Sequence, residues 1–123
     1  MSAKLRILVV EDDEAVRTSL SDLLRVWGHE VDTANDGVAG LEAGSTGRYD
    51  VAILDLNMPG MDGLDVCRKL SESSERPYLV AYTAWVRPDD QKRVREAGFD
   101  AHFRKGRDPQ ELLRILEDVE PRS

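Results

Sequence analysis

The 123-residue sequence predicts an α/β domain in which a five-stranded parallel sheet is doubly wound, with helices on both faces. Two observations lead to this fold class. Short apolar runs rich in Val, Ile and Leu are typical of parallel strands that are covered on both sides. Segments whose apolar residues repeat at helical spacing alternate with these runs. Because a chain of this length buries one hydrophobic core, we expect a single domain over residues 1–123.

Strands are predicted at five places along the chain. The second and the fifth are weaker candidates, because their apolar runs are shorter. In chain order the predicted strands are Leu5–Val10, Glu30–Ala34, Val51–Leu54, Tyr78–Tyr82 and Asp100–Phe103.

Helices are predicted where apolar residues recur every three or four positions. The last helix has a defined start, because Asp108 as N-cap, Pro109 at the first helical position and Glu111 at the third form a capping-box pattern. The residues at helical spacing are, in three groups, Val16, Leu20, Leu23, Leu24 and Trp27, then Leu64, Cys67 and Leu70, then Leu112, Leu113, Leu116 and Val119.

The segment Pro88–Ala97 differs from these helices. Apart from Val94 and Ala97, this segment has almost no apolar residues that could pack in a core. A helix with so narrow an apolar stripe is either a solvated surface helix or a movable element that presents a binding surface. The sequence leaves both interpretations open.

Charge and composition exclude several classes of protein. The formal net charge is -7 with no block of Lys or Arg, which argues against a nucleic-acid or anionic-membrane surface. The apolar run at residues 7–10 is too short for a signal peptide or a membrane span. The single cysteine, Cys67, excludes an internal disulfide and favours a reducing cytoplasm, and we expect it to be a small buried side chain. We expect His29 to be exposed.

Polar residues follow four of the predicted strands, at the end where parallel strands of an open sheet gather functional groups. Three carboxylates meeting there would repel one another unless a hard divalent cation lay between them, and Mg²⁺ takes such oxygen ligands. Ordinary helix capping explains Asp12 or Asp13 alone but not the other strand ends. In chain order the strand-end residues are Glu11, Asp12, Asp55, Thr83 and Lys105.

Five stretches in a fixed order carry a resemblance to a known family. They are ILVVEDDE, LDLNMPGMDG, the YTA of residues 82–84, EAGFDAHF and the lysine at 105. Together they resemble the receiver domains of response regulators in two-component signalling, and the resemblance covers essentially the whole chain. It implies a flavodoxin-like sheet with strand order 2-1-3-4-5. Among receivers the chain is similar to the stand-alone, chemotaxis-regulator type.

The resemblance implies a role for each site residue. Asp55 would be the nucleophile that accepts a phosphoryl group from a histidine kinase or phosphotransfer protein. Asp12, Asp55 and the backbone carbonyl of Asn57 would bind Mg²⁺, with Glu11 acting mainly through water. Lys105 and Thr83 would contact the phosphoryl oxygens.

The same resemblance implies a signalling protein rather than a metabolic enzyme, with an unknown downstream protein target. We expect no effector domain, so the chain is either a stand-alone receiver or a piece of a larger hybrid protein. A flavodoxin-like cofactor binder would need a Ser/Thr/Gly-rich phosphate loop at the positions of Glu11 and Asp12. A haloacid-dehalogenase-type phosphatase would need a second acid at the position of Asn57. A receiver-like interaction module that is not phosphorylated stays an open alternative.

Three positions depart from, or tune, the family pattern. Trp85 borders the path that the hydrolytic water takes in receivers, so its indole either restricts that water or packs elsewhere. His102 replaces the usual Tyr or Phe of the switch, and either couples activation to pH or serves as a plain aromatic ring. Gly106 replaces the usual proline after Lys105. Because a cis bond costs about 2.5–4 kcal/mol without proline, we expect a trans 105–106 bond with Lys105 still directed at Asp55.

Overall fold

The structure is a computed structural model that describes residues 4–56, 58, 63–83 and 88–121, with backbone alone at 88–91. Strands and helices alternate along the whole chain. They are β1 (Arg6–Val10), α1 (Glu14–Val26), β2 (Glu30–Ala34), α2 (Gly37–Gly44), β3 (Val51–Asp55), α3 (Gly63–Ser71), β4 (Tyr78–Thr83), α4 (Pro88–Ala97), β5 (Ala101–Arg104) and α5 (Pro109–Glu117).

The five strands form one parallel sheet with the order β2-β1-β3-β4-β5, which confirms the predicted fold class and strand order. Strand β2 has the predicted bounds, β1, β3 and β4 differ from prediction by one residue at one end, and β5 is shifted by one residue at both ends. Helix α2 was not located by apolar spacing. Its glycines explain this: a Cβ on Gly40 would lie 2.7 Å from the Val10 side chain, so close packing on β1 replaces an apolar stripe.

Alternate residues of each strand enter two cores on opposite faces of the sheet. Leu8 and Val10 of β1 face the core that includes side chains of α3 and α4. Ile7 and Val9 face the other core, which includes side chains of α1 and α5. Since both faces of the central strands are covered, β3 is buried along its entire length.

Local predictions about the helices are confirmed. Val94 and Ala97 are the buried side chains among residues 92–97 of α4. The Asp108 side chain caps α5 by accepting the Gln110 N–H. Cys67 is fully buried and donates to the Ala97 carbonyl oxygen, and burial raises the pKa of this thiol to about 12.

The expectation that His29 is exposed is wrong. The ring is 6% exposed, and its Nδ1 accepts the Leu5 backbone N–H at 3.0 Å. The turn that follows α1 passes through Gly28 with φ of 97°. This turn brings the His29 ring next to the backbone just before β1. Burial lowers the pKa of His29, so the neutral ring is favoured.

Among the described helices, none has both the length and the apolar character that a membrane span requires.

Candidate functional site

The acidic stretch after β1 is divided between two tasks. Asp13 caps α1, since its Oδ1 accepts the Val16 N–H at 3.0 Å. Glu11 and Asp12 remain at the carboxyl end of the sheet. Arg17 of α1 donates from Nη1 to the backbone carbonyl of Glu11 at 2.9 Å and to that of Asp12 at 3.4 Å. The guanidinium therefore holds the backbone of the acidic pair and leaves the two carboxylates free to face the site.

Three carboxylates converge at this end of the sheet. One oxygen each of Glu11, Asp12 and Asp55 lies within 4.8 Å of the others. Glu11 and Asp55 are buried, at 1% and 2% exposure, whereas Asp12 is exposed. The cluster therefore has two buried carboxylates, and it is open to solvent on the side of Asp12.

Lys105 extends into the same cluster from the end of β5. Its Nζ lies 2.8 Å from Glu11 Oε1 and 3.5 Å from Asp55 Oδ1. Its backbone N–H donates to the Thr83 carbonyl at 2.6 Å, which joins the ends of β4 and β5. The 105–106 peptide bond is trans, and Gly106 adopts φ of 84°. The trans bond and the lysine directed at Asp55 are both as the sequence predicted.

The electrostatics show a site that is short of positive charge. Burial, followed by the hydrogen bond that protonated Glu11 donates to Asp55, raises the pKa of Glu11 to about 7, although Lys105 and the Asp13 N–H act to lower it. Burial by itself would lower the pKa of Lys105, but its contacts with Glu11 and Asp55 outweigh that effect and raise the pKa. One ammonium thus leaves a buried carboxyl half-protonated near neutrality. The oxygen-only donor set and this excess of negative charge fit a hard divalent cation.

Of the remaining predicted site residues, Thr83 and His102 are described by the structure and Asn57 and Trp85 are not. Thr83 is buried at the end of β4, next to the strand that carries Asp55. His102 is exposed in the middle of β5, so its proposed inward switch stays a prediction. Asn57 and Trp85 lie outside the described residues, and their roles stay predictions as well.

Two residues of the site were missed by sequence reasoning. A Cβ on Gly63 would overlap the backbone carbonyl of Asp55 and lie 2.9 Å from Leu56 Cα, so only glycine lets α3 start against the end of β3. Tyr82 places its ring 5.1 Å from Lys105 Nζ. The glycine that ends LDLNMPGMDG was a usable signal for the first contact. The second depends on strand register, which the sequence alone does not specify.

Comparison with known sequences gives a consistent result. The family model described as the response regulator receiver domain matches residues 7–117. Response regulator MprA of Mycobacterium leprae (strain TN) is 39% identical over 109 residues, which are 89% of this chain and 48% of the relative. MprA of Mycobacterium ulcerans (strain Agy99) is also 39% identical, with 89% and 47% covered. The chain spans about half the length of the curated relatives it matches.

Solved structures share the fold. Chemotaxis protein CheY4 of Vibrio cholerae superposes with a TM-score of 0.88 and 29% identity, covering 96% of this chain and all of that chain. The receiver domain of the sensor histidine kinase PA1611 from Pseudomonas aeruginosa PAO1 gives a TM-score of 0.84 and 29% identity, with 94% and 96% covered. That second structure has a magnesium ion coordinated in its active site cleft.

Proposed function

Because the chain belongs to the family of response regulator receiver domains, which act in two-component signalling, we propose that it is a switch controlled by phosphorylation of Asp55. The phosphoryl group would come from the phosphohistidine of a histidine kinase or of a phosphotransfer protein. The modified domain would then bind a downstream protein differently. The observation that carries this proposal is the meeting of Asp55, Glu11, Asp12 and Lys105 at one end of the sheet.

Asp55 has the position and the surroundings of a nucleophile. It is the last residue of a fully buried strand, so its carboxylate is fixed in direction and shielded from bulk water. One carboxylate oxygen would form a bond to phosphorus while the bond from phosphorus to the donor nitrogen breaks, and the imidazole leaves. Little further covalent chemistry is required, because phosphoryl transfer depends mainly on positioning and on charge stabilisation.

Lys105 and Thr83 would stabilise the transferred group. The ammonium already lies 3.5 Å from the Asp55 carboxylate, so it is placed to contact an oxygen of a phosphoryl group on that side chain. Thr83 ends the neighbouring strand and brings a hydroxyl to the same end of the sheet. Movement of this hydroxyl toward the phosphoryl group would transmit the modification to β4 and to the elements that follow it.

A divalent cation fits the acidic cluster, and we propose Mg²⁺ held by Asp12 and Asp55, with Glu11 acting through water and the Asn57 carbonyl as a further ligand. When bound, the ion supplies the positive charge that lets an anionic carboxylate approach an anionic phosphoryl donor. The buried Glu11 and Asp55 provide the rigid walls, and the exposed Asp12 leaves the entrance open. The structure of the similar PA1611 receiver domain contains magnesium in its active site cleft.

The experiment that tests this function is phosphorylation by a small donor. The protein is incubated with phosphoramidate and Mg²⁺, and its mass is measured over time. We expect one added phosphoryl group in the wild type, none in Asp55→Asn and none with excess chelator. Asp22→Asn, an exposed aspartate of α1 outside the site, is the matched control and should be modified like the wild type. An equal adduct in Asp55→Asn would contradict the assignment. Absence of any adduct in the wild type would favour the unphosphorylated interaction module.

A further inference from the structure

The Lys105 side chain reaches the carboxylates by crossing the ring of Tyr82, and the geometry points to Tyr82 as a positioning residue for this lysine. Its Nζ lies over the ring at 5.1 Å from the ring centre, within the range of a cation–π contact. The same Nζ lies 2.8 Å from Glu11 and 3.5 Å from Asp55. The ammonium is therefore held between an aromatic face and two carboxylates.

Strand register explains why this ring lies under the lysine. Asp55 of β3 pairs with Tyr82 of β4, and Tyr82 pairs with Phe103 of β5. Paired residues of parallel strands point to the same face, and residues two apart on one strand also share a face, so Lys105 follows Phe103 on that face. To reach Asp55 from β5, the lysine must pass two strand spacings of about 4.8 Å each. The residue that it passes over is Tyr82.

The ring is itself fixed in orientation. Tyr82 and Phe103 are stacked with ring centres 5.6 Å apart and an angle of 5° between their planes. Phe103 is buried at 5% exposure in the core that contains side chains of α1 and α5, and Tyr82 packs against this core. A fixed ring provides a defined surface for the lysine, whereas a mobile ring would not.

The lysine needs such a support because a fixed backbone does not fix the end of a long side chain. The Arg107 N–H donates to the Arg104 carbonyl at 3.2 Å and closes the turn through Lys105 and Gly106, but this bond does not restrict the Lys105 side chain. Gly106 follows Lys105 with φ of 84°, and among the described residues no atom beyond its two chain neighbours lies within 4 Å of the place that a Cβ would occupy there. A lysine side chain has large rotamer freedom, which must be restricted for its ammonium to stay at one place. On the N-terminal side the Lys105 N–H is fixed to the Thr83 carbonyl. The Tyr82 ring restricts the rest of the side chain.

A spectroscopic experiment tests the contact without any phosphoryl donor. The ring current of Tyr82 should move the NMR signals of the Lys105 ε-methylene protons upfield, and these signals are assigned by their loss in Lys105→Met. We expect the upfield position to be kept in Tyr82→Phe and lost in Tyr82→Leu. Unchanged Lys105 signals in a folded Tyr82→Leu protein would overturn the proposal.

A kinetic experiment tests the consequence, and this part rests on the proposed function. With phosphoramidate and Mg²⁺, we expect Tyr82→Leu to be phosphorylated about 2- to 5-fold more slowly than the wild type, the size of a partly exposed cation–π contact, and Tyr82→Phe to retain the wild-type rate. In a Lys105→Met background, Tyr82→Leu should cause no further slowing.

The outcomes separate the two proposals. Equal slowing by Tyr82→Leu with and without Lys105 would mean that the ring acts only on the packing of β4 and β5, and would overturn the positioning role. If Tyr82→Leu does not fold, the NMR comparison is made with Tyr82→Met, which keeps an apolar side chain without a ring. A wild type that accepts no phosphoryl group would refute the proposed function, while the NMR experiment would still decide whether Tyr82 holds Lys105.

Discussion

Carboxylates at the two ends of the sheet have opposite surroundings. At the amino end, Asp50 accepts the Arg6 N–H at 2.8 Å, and Asp100 accepts the Leu79 N–H at 2.8 Å and a bond from Arg76 at 2.9 Å. At the carboxyl end, oxygens of Glu11, Asp12 and Asp55 lie within 4.8 Å of one another and share a lysine. Acids at the amino end thus satisfy backbone donors, while those at the carboxyl end face each other.

The partner of each buried carboxylate distinguishes structural acids from functional acids in this fold. A buried carboxylate that accepts main-chain hydrogen bonds stabilises the chain connections around it. A buried carboxylate that faces other carboxylates lowers stability until a cation is bound. Such a cost is expected where a site is shaped for a ligand rather than for the free protein. The two ends should therefore respond to mutation with opposite signs.

The largest expected effect is at the amino end. Replacing Asp50 by Ala leaves the Arg6 N–H without its acceptor in a buried place, where the Asp50 side chain is 2% exposed. We expect the free energy of unfolding to fall by about 2–3 kcal/mol in urea titrations. The ion pair with the half-exposed Arg6 side chain, at 3.8 Å, adds little to this loss.

Asp50→Asn is the matched control, because it keeps an oxygen acceptor for the Arg6 N–H while it removes the charge and replaces the second oxygen by an NH2 group. The free energy of unfolding should fall by less than about 1 kcal/mol in this variant. Equal losses in the Ala and Asn variants would show that the charge, and not the main-chain hydrogen bond, is what Asp50 contributes. That result would refute the claim that acids at the amino end of the sheet stabilise the protein by accepting main-chain hydrogen bonds.

A smaller effect of opposite sign is expected at the carboxyl end. The folded-state pKa of Glu11 is about 7 against 4.5 for an ordinary glutamate, chiefly because the group is buried. Between these values the folded protein holds more protons at Glu11 than the unfolded chain does, so the free energy of unfolding falls as pH rises from about 4.5 to 7. In chelator at pH 8, Glu11→Gln should therefore be more stable than the wild type by about 2 kcal/mol.

Urea titrations at pH 5 and pH 8 check this prediction, with Glu42→Gln, at an exposed glutamate of α2, as the control that should change nothing. Exchanging chelator for Mg²⁺ should raise the stability of the wild type more than that of Glu11→Gln, since the ion offsets the charge that the variant lacks. A wild type whose stability in chelator is the same at both pH values would refute the explanation.

The contrast also shows what could be predicted from the sequence and what could not. Apolar runs located the strands, and polar residues at their ends identified the site, because both signals lie in short contiguous stretches. The burial of His29 was missed, since its partner Leu5 is 24 positions away and the approach is made by the turn at Gly28. Tyr82 was missed for a related reason, as its contacts come from register across three strands.

The smallest expected effect returns to the amino end of the sheet and concerns His29. Its Nδ1 accepts the Leu5 N–H, so protonation of this nitrogen removes a hydrogen bond worth about 1 kcal/mol and places a charge in a buried site. Burial lowers the folded-state pKa below the ordinary 6.5, so the stabilisation is complete above pH 6.5 and is lost as pH falls through the folded-state value. Between pH 7.5 and 5, the wild type should lose about 1 kcal/mol relative to His29→Gln, which keeps an acceptor that does not titrate. If His29→Gln and the wild type change in parallel, the imidazole is not coupled to folding.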